Sequence, residues 1–149
     1  MRWTAASPAF LTLLLACARL APPVQVAAPP LPAAPPVADV LTELATAALA
    51  ADARLVRADS LFDPDAVVIA DGRRRPVPPR FAGVEAGGQI VVGSSRVDVS
   101  GNFAWALLEY RWLAPDQNLI HEGKATLVFA LGSDGRTWRI THAHSSLVR

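Results

Sequence analysis

The stretch WRITHAHSSLVR, Trp138 to Arg149, holds two of the chain's three histidines, His142 and His144, one residue apart. On an extended strand alternate residues share a face, which would set their Cα atoms about 6.7 Å apart. Three kinds of chemistry are open to such a pair. A His-x-His strand binds zinc or iron when further ligands converge on it. A buried neutral imidazole pairs with a hydroxyl or a backbone carbonyl and only supports the fold. An imidazole on a concave apolar face orients a ligand or moves a proton, because its ordinary pKa lies near 6.5.

Metal is the least favoured of the three. The remaining histidine, His121, would sit about 13 Å along the neighbouring strand in the register derived below. No acidic residue follows the pair, only Ser145, Ser146, Leu147, Val148 and Arg149. Neither a metal nor another cofactor is therefore expected. Proton transfer needs an acid, and Asp71, at the end of a short strand, is one candidate. That makes His142 or Asp71 the candidate base. The chain has no Gly-x-Ser-x-Gly elbow, phosphate-binding glycine loop or dinucleotide fingerprint.

Strands must position these groups, and the turn signals suggest how. Asp134-Gly135 is a two-residue hairpin turn signal. It pairs Phe129 with Ile140, Leu127 with His142 and Ala125 with His144. His121, Ala125, Leu127, Phe129, Trp138, Ile140, His142 and His144 then share one apolar face, and a one-residue slip would mix the two faces. Gly101-Asn102 marks a second hairpin with Val97 opposite Ala106. Its inner face carries Val91, Ser95, Val97, Ala104, Ala106, Leu108, Tyr110 and Trp112. Its outer face is polar apart from Trp105 and Leu107, which hint at cover by a second subunit.

Before these hairpins, residues 38–62 have no glycine or proline. Leu41, Leu44, Ala48, Ala51, Leu55 and Phe62 recur at helical spacing, with Asp39 suited to the first turn and Pro64 forbidding continuation. Asp65 to Ala70 reads as a strand. Asp71 to Gln89 reads as a long loop with one helical turn near Phe81 to Ala86. Its Arg73, Arg74, Arg75 and Arg80 either collect an anionic ligand or form a solvated surface.

The chain has 149 residues, enough for one domain, and a net charge of +1, which gives no electrostatic footprint for nucleic acid. The first 16 residues read as an export signal: Arg2, then an apolar run far shorter than the roughly 20 residues of a membrane-crossing helix. Leu14-Leu15-Ala16-Cys17 resembles a lipobox, in which Cys17 would be lipidated. The other reading is ordinary signal cleavage a little later. Cys17 is the only cysteine, so no intramolecular disulfide is possible. Residues 17–37 are rich in proline and alanine and read as an extended spacer or a disordered leader. The folded domain is expected at 38–149.

Taken in order, DPDAVVIADG, GNFAWALLEYRW, GKATLVFAL and WRITHAHSSL resemble the SnoaL-like branch of the nuclear transport factor 2-like superfamily, over about Ala38 to Leu147. The resemblance implies an α+β cone, with an N-terminal helix packed on a strongly curved antiparallel sheet around an internal cavity. Dimers through the sheet are common in that superfamily. Its members include ketosteroid isomerase-like enzymes, cyclases, dehydratases and oligomerisation domains, so the fold does not choose a task. Isomerase-like members use an aspartate base with a tyrosine and a protonated acid, and Asp71 and Tyr110 match these only in type.

The leading expectation is an exported, periplasmic or cell-envelope lipoprotein that binds a small, mostly apolar molecule in its cone. Tyr110, Trp112, Phe129, His142 and His144 would line the cavity, and a homodimer through the sheet is expected. The alternatives are a proton-transfer enzyme using His142 or Asp71, and a non-catalytic dimerisation module.

Overall fold

The computed structural model describes residues 36–114 and 118–148. The expected signal, Cys17 and all but the end of the proline-rich spacer lie outside the described residues. The order is one helix, α1 (Val37–Ala53), a short 3-10 turn (Asp59–Leu61), and six strands. These are β1 (Phe62–Ala70), β2 (Arg73–Arg74), β3 (Gln89–Ser100), β4 (Phe103–Ala114), β5 (Leu119–Leu131) and β6 (Trp138–Leu147). They form a single sheet in the order β2-β1-β6-β5-β4-β3. The α+β architecture is the expected one. The sheet, however, is mixed, because β1 runs parallel to β6.

Helix α1 starts directly after Pro36, whose carbonyl accepts from the Asp39 and Val40 amides. Asp39 stands in the first turn, where its charge opposes the positive end of the dipole. Leu41, Ala45, Ala48 and Leu49 form the buried stripe. The helix is shorter than the periodicity predicts. It stops at Ala53, and Leu55 turns the chain away in the left-handed region with φ 55°. Phe62, expected on the helix, begins β1, and so β1 starts three residues earlier than expected.

The hairpin of β3 and β4 keeps the derived register, with Ser100 opposite Phe103 and Val97 opposite Ala106. A bulge at Gly93 shifts the far end by one position. Val91, expected inside, is consequently exposed, and Ile90 and Val92 pack on the core instead.

The hairpin of β5 and β6 keeps its register only near the turn. Asp134 organises that turn by accepting from the Arg136 and Thr137 amides (2.9 and 3.0 Å) and from the Thr137 hydroxyl (2.5 Å). These donors lower its carboxyl pKa to about 2. Leu131 opposes Trp138 and Phe129 opposes Ile140, as derived, but Val128 then opposes His142. Thr141 is the extra residue, and its Oγ1 donates to the Val128 carbonyl at 3.2 Å. Beyond it Leu127 opposes Ala143 and Ala125 opposes Ser145. The pairings expected for His142 and His144 are thus corrected, and both histidines face outward with Val128 and Thr126.

Inside, Leu127, Phe129, Ile140 and Ala143 are wholly buried with Ala104 and Ala106. Packing is close where β5 carries Gly123 opposite Tyr110. A Cβ at Gly123 would overlap the Tyr110 ring. That ring cannot withdraw without breaking a 2.6 Å hydrogen bond from its hydroxyl to the Ala82 carbonyl. Gly123→Ala should therefore destabilise the domain by roughly 2–3 kcal/mol, read as a lowered urea midpoint. An unchanged midpoint would show that the ring has room to move.

Candidate functional site

The densest polar construction inside the domain surrounds residues 80–85, a segment in neither helix nor strand. Buried backbone amides and carbonyls need partners, and a segment without secondary structure must find them in side chains. Asp52, at the end of α1, is 1% exposed. Its Oδ2 accepts from the Arg80 amide and, at 2.8 Å, from the Phe81 amide. Ser145 Oγ on β6 accepts from the Ala82 amide at 2.9 Å. Tyr110 on β4 donates to the Ala82 carbonyl, as already noted. His121 on β5 donates from Nδ1 to the Gly83 carbonyl at 2.8 Å, since a carbonyl can only accept. Trp112 Nε1 donates to the Glu85 carbonyl at 2.8 Å, and its indole stacks on His121 at 5.1 Å.

Held in this way, Phe81, Ala82 and Val84 bury their side chains among the inner faces of the strands. Gly83 makes this approach possible. Its φ is +67°, and a Cβ there would collide with Leu147. Burial pushes the Asp52 carboxyl above its ordinary value, against the opposing pull of the Phe81 and Arg80 amides and the Arg80 charge. Burial likewise pushes the Tyr110 phenol up, so it remains a neutral donor. Among the described residues no buried side-chain nitrogen or oxygen lacks a partner.

The sequence-predicted residues divide between two faces. Tyr110, Trp112 and Phe129 point inward and are at most 2% exposed. The polar tips of the first two are bonded to the chain itself. His142 and His144 do not join them, because the Thr141 bulge turns both to the outer face, where His144 is exposed. Asp71 stands in an exposed turn with φ 48°, and its Oδ1 accepts from the Leu147 amide at 3.1 Å. It caps the end of β6. Its strand is paired so that Val67, not Asp71, lies beside His142. Among the described residues no three His, Cys, Asp or Glu side chains gather as a metal ion would require.

Asp52 and Ser145 were missed in the sequence reading. Asp52 did leave a signal, being a charged residue in line with Leu41, Ala45, Ala48 and Leu49 on the buried stripe. Ser145 left none, because its inward position depends on the bulge.

The outer face has its own character. Pairing sets Trp105, Val128, His142 and Val67 side by side across four strands, with Leu107, Thr126, His144 and Ile69 in the next row. Phe103, Trp105 and Leu107 are 59%, 43% and 47% exposed. A trough of about 410 Å³ runs between Arg96, Leu107, Thr126 and His144. Charged residues border this patch as matched pairs: Lys124 with Glu109 at 2.8 Å, Arg111 with Glu122 at 2.9 Å and Arg96 with Asp98 at 3.1 Å.

A family model described as a SnoaL-like domain matches residues 37–149. Among solved structures, a candidate ketosteroid isomerase from Parabacteroides distasonis is similar with TM-score 0.59 and 17% identity, covering 76% of this chain and 89% of its own. A nuclear transport factor 2-like superfamily protein from Salmonella enterica serovar Typhimurium gives TM-score 0.58 and 18% identity, covering 76% and 92%. The CaMKII hub of S. rosetta gives TM-score 0.56 and 16% identity, covering 79% and 100%. These likenesses establish the fold. No curated protein matches the chain.

Removing the Asp52 carboxylate strands two buried amides, so Asp52→Ala should cost about 2–4 kcal/mol. The pH dependence has a definite sign. A carboxyl whose pKa is raised by folding contributes most when protonated, below its unfolded value, and loses that contribution as pH rises through the folded value. The stability of wild type relative to Asp52→Asn should therefore fall as pH rises above the ordinary carboxyl range. Urea midpoints from that range upward test this, and a relative stability that rises with pH would show a lowered pKa.

Proposed function

This chain belongs to the SnoaL-like domain family of the nuclear transport factor 2-like superfamily, and from that premise we propose that it is a non-catalytic assembly module. It pairs with a second copy of itself through the outer face of its sheet. The observation that carries this reading is the apolar strip of Phe103, Trp105 and Leu107, continued across the strands by Val128 and Val67. An apolar centre with a polar rim is the anatomy of a protein interface. Three charge pairs at the rim are already matched within the sheet, which leaves the apolar strip to drive association, while Arg74 beside Ile69 and Arg139 in the row of Phe103 lie towards the border of the same face.

The two other readings have less support. A small apolar ligand inside the cone would compete with Phe81, Ala82 and Val84, which pack against the residues expected to line it. Proton transfer by His142 or Asp71 has less support, because His142 lies on the outer face beside Val67 and Asp71 uses Oδ1 to accept from the Leu147 amide. Among the structural neighbours, one is named as a hub, a use of this fold in assembly. We further propose that the module is exported to the cell envelope and anchored through a lipid on Cys17. The mass of the mature N-terminus tests that point, and an unmodified start beyond Cys17 would refute it.

Sedimentation velocity tests the assembly. Wild type should sediment at twice the monomer mass. Trp105→Glu places a charge in the centre of both facing patches and should weaken association at least about 30-fold, with an unchanged circular dichroism spectrum. A monomeric wild type, or a Trp105→Glu variant that still dimerises as tightly, would overturn the reading.

A further inference from the structure

The arginine-rich loop has a role left over after the interior and the outer face are accounted for. A cleft of about 330 Å³ opens beside the start of β1, on the inner side of that strand. Its floor is apolar, made by Phe62, Ala66 and Val68, and Arg57, Arg75 and Arg80 stand around it. The sequence places these arginines 18 and 5 residues apart. The fold brings them together because the segment pinned by Asp52 turns back over β1.

Arg80 is the built part of the site. Its side chain is 7% exposed, and its guanidinium lies 4.3 Å above the centre of the Phe62 ring. Nη1 donates to the Arg57 carbonyl at 2.8 Å and Nη2 to Asp59 Oδ1 at 3.2 Å. Asp59 is shared, since its other oxygen lies 3.2 Å from Arg57 Nε. Asp63, the second acid at the cleft, turns one oxygen to the Asp65 amide at 2.9 Å. Three guanidinium groups thus face two carboxylates, one of them divided between two arginines. Arg75 is rooted at the rim by its own amide, which donates to the Val68 carbonyl at 2.8 Å.

We propose that this cleft binds a small organic monoanion, a monocarboxylate with an apolar body about the size of benzoate. The carboxylate pairs with Arg75 and Arg57 at the mouth, where planar guanidinium forks match planar carboxylates. The apolar body lies on Phe62, Ala66 and Val68. The volume is at the lower end for ligand pockets, which favours a single ring or a short branched chain. Asp59 and Asp63 select against dianions such as phosphate monoesters, because a second negative charge meets them directly. This site is independent of the outer face, and its failure leaves the assembly reading untouched.

Isothermal titration calorimetry with sodium benzoate, and with benzamide as the uncharged analogue of the same shape, tests the proposal on the full chain. Benzoate should bind at a single site, and benzamide at least about tenfold more weakly. Arg75→Gln and Arg57→Gln should each weaken benzoate at least about tenfold while the thermal midpoint stays within a few degrees. Amide chemical shifts on titration should change at Phe62, Ala66 and Val68. The proposal falls if benzoate does not bind, if benzamide binds as well, if neither substitution matters, or if the shifts map to the outer face of β4 and β5.

Discussion

Thr141 is one residue more than β5 has positions to receive. Its neighbours Ile140 and His142 pair with consecutive residues, Phe129 and Val128, so Thr141 is left over and its hydroxyl ties down the Val128 carbonyl. Every residue of β6 beyond it is turned to the opposite face. Ala143 and Ser145 go inside and His142 and His144 go outside. A bulge of this kind re-aims side chains without interrupting the sheet. The consequences spread because β6 is central, with β5 on one side and β1 on the other.

The interior depends on that turn-over. Ser145 on the inner face supplies the acceptor for the Ala82 amide. Asp52, Tyr110, His121 and Trp112 supply the other partners for the same short segment. Five side chains from one helix and three strands thereby hold a stretch of chain that has no secondary structure of its own, and Phe81, Ala82 and Val84 fill the space between them. Buried polar groups arranged like this specify one conformation, because removing any member strands its partner away from water. Tyr110 and Trp112 have the composition of ligand-lining residues, yet both use their polar atoms to hold the chain.

The two proposed contacts with other molecules therefore lie on the exterior. One surface is the outer sheet face, apolar at its centre and bordered by charged pairs. The other is the cleft beside β1, where Asp59 and the Arg57 carbonyl fix Arg80 and the pinned segment delivers Arg75 to the rim. Both exist because of interior constraints: the bulge decides which side chains reach the outer face, and Asp52 decides where the arginine loop returns.

The α+β class, the family, both hairpin turns and the inner face of β4 were legible in the residues, because they rest on local rules. Alternation along a strand, Gly-Asn and Asp-Gly turns and the helical stripe of Leu41 to Leu49 are each read within about ten residues. The end of α1 at Ala53 and the bulges at Gly93 and Thr141 were not legible. No local preference forbids the helix from continuing to Phe62 or the β6 register from continuing to His144. Those outcomes follow from which neighbour offers a partner: Phe62 is taken up by β6, and Ser145 is drawn in by an amide 63 residues away. By itself, then, the sequence determined that one helix precedes a short strand and two long hairpins, and which turns close those hairpins. Tertiary structure alone decided which face the histidines take and what fills the interior, because a one-residue shift in strand pairing costs little locally and reverses every side chain after it.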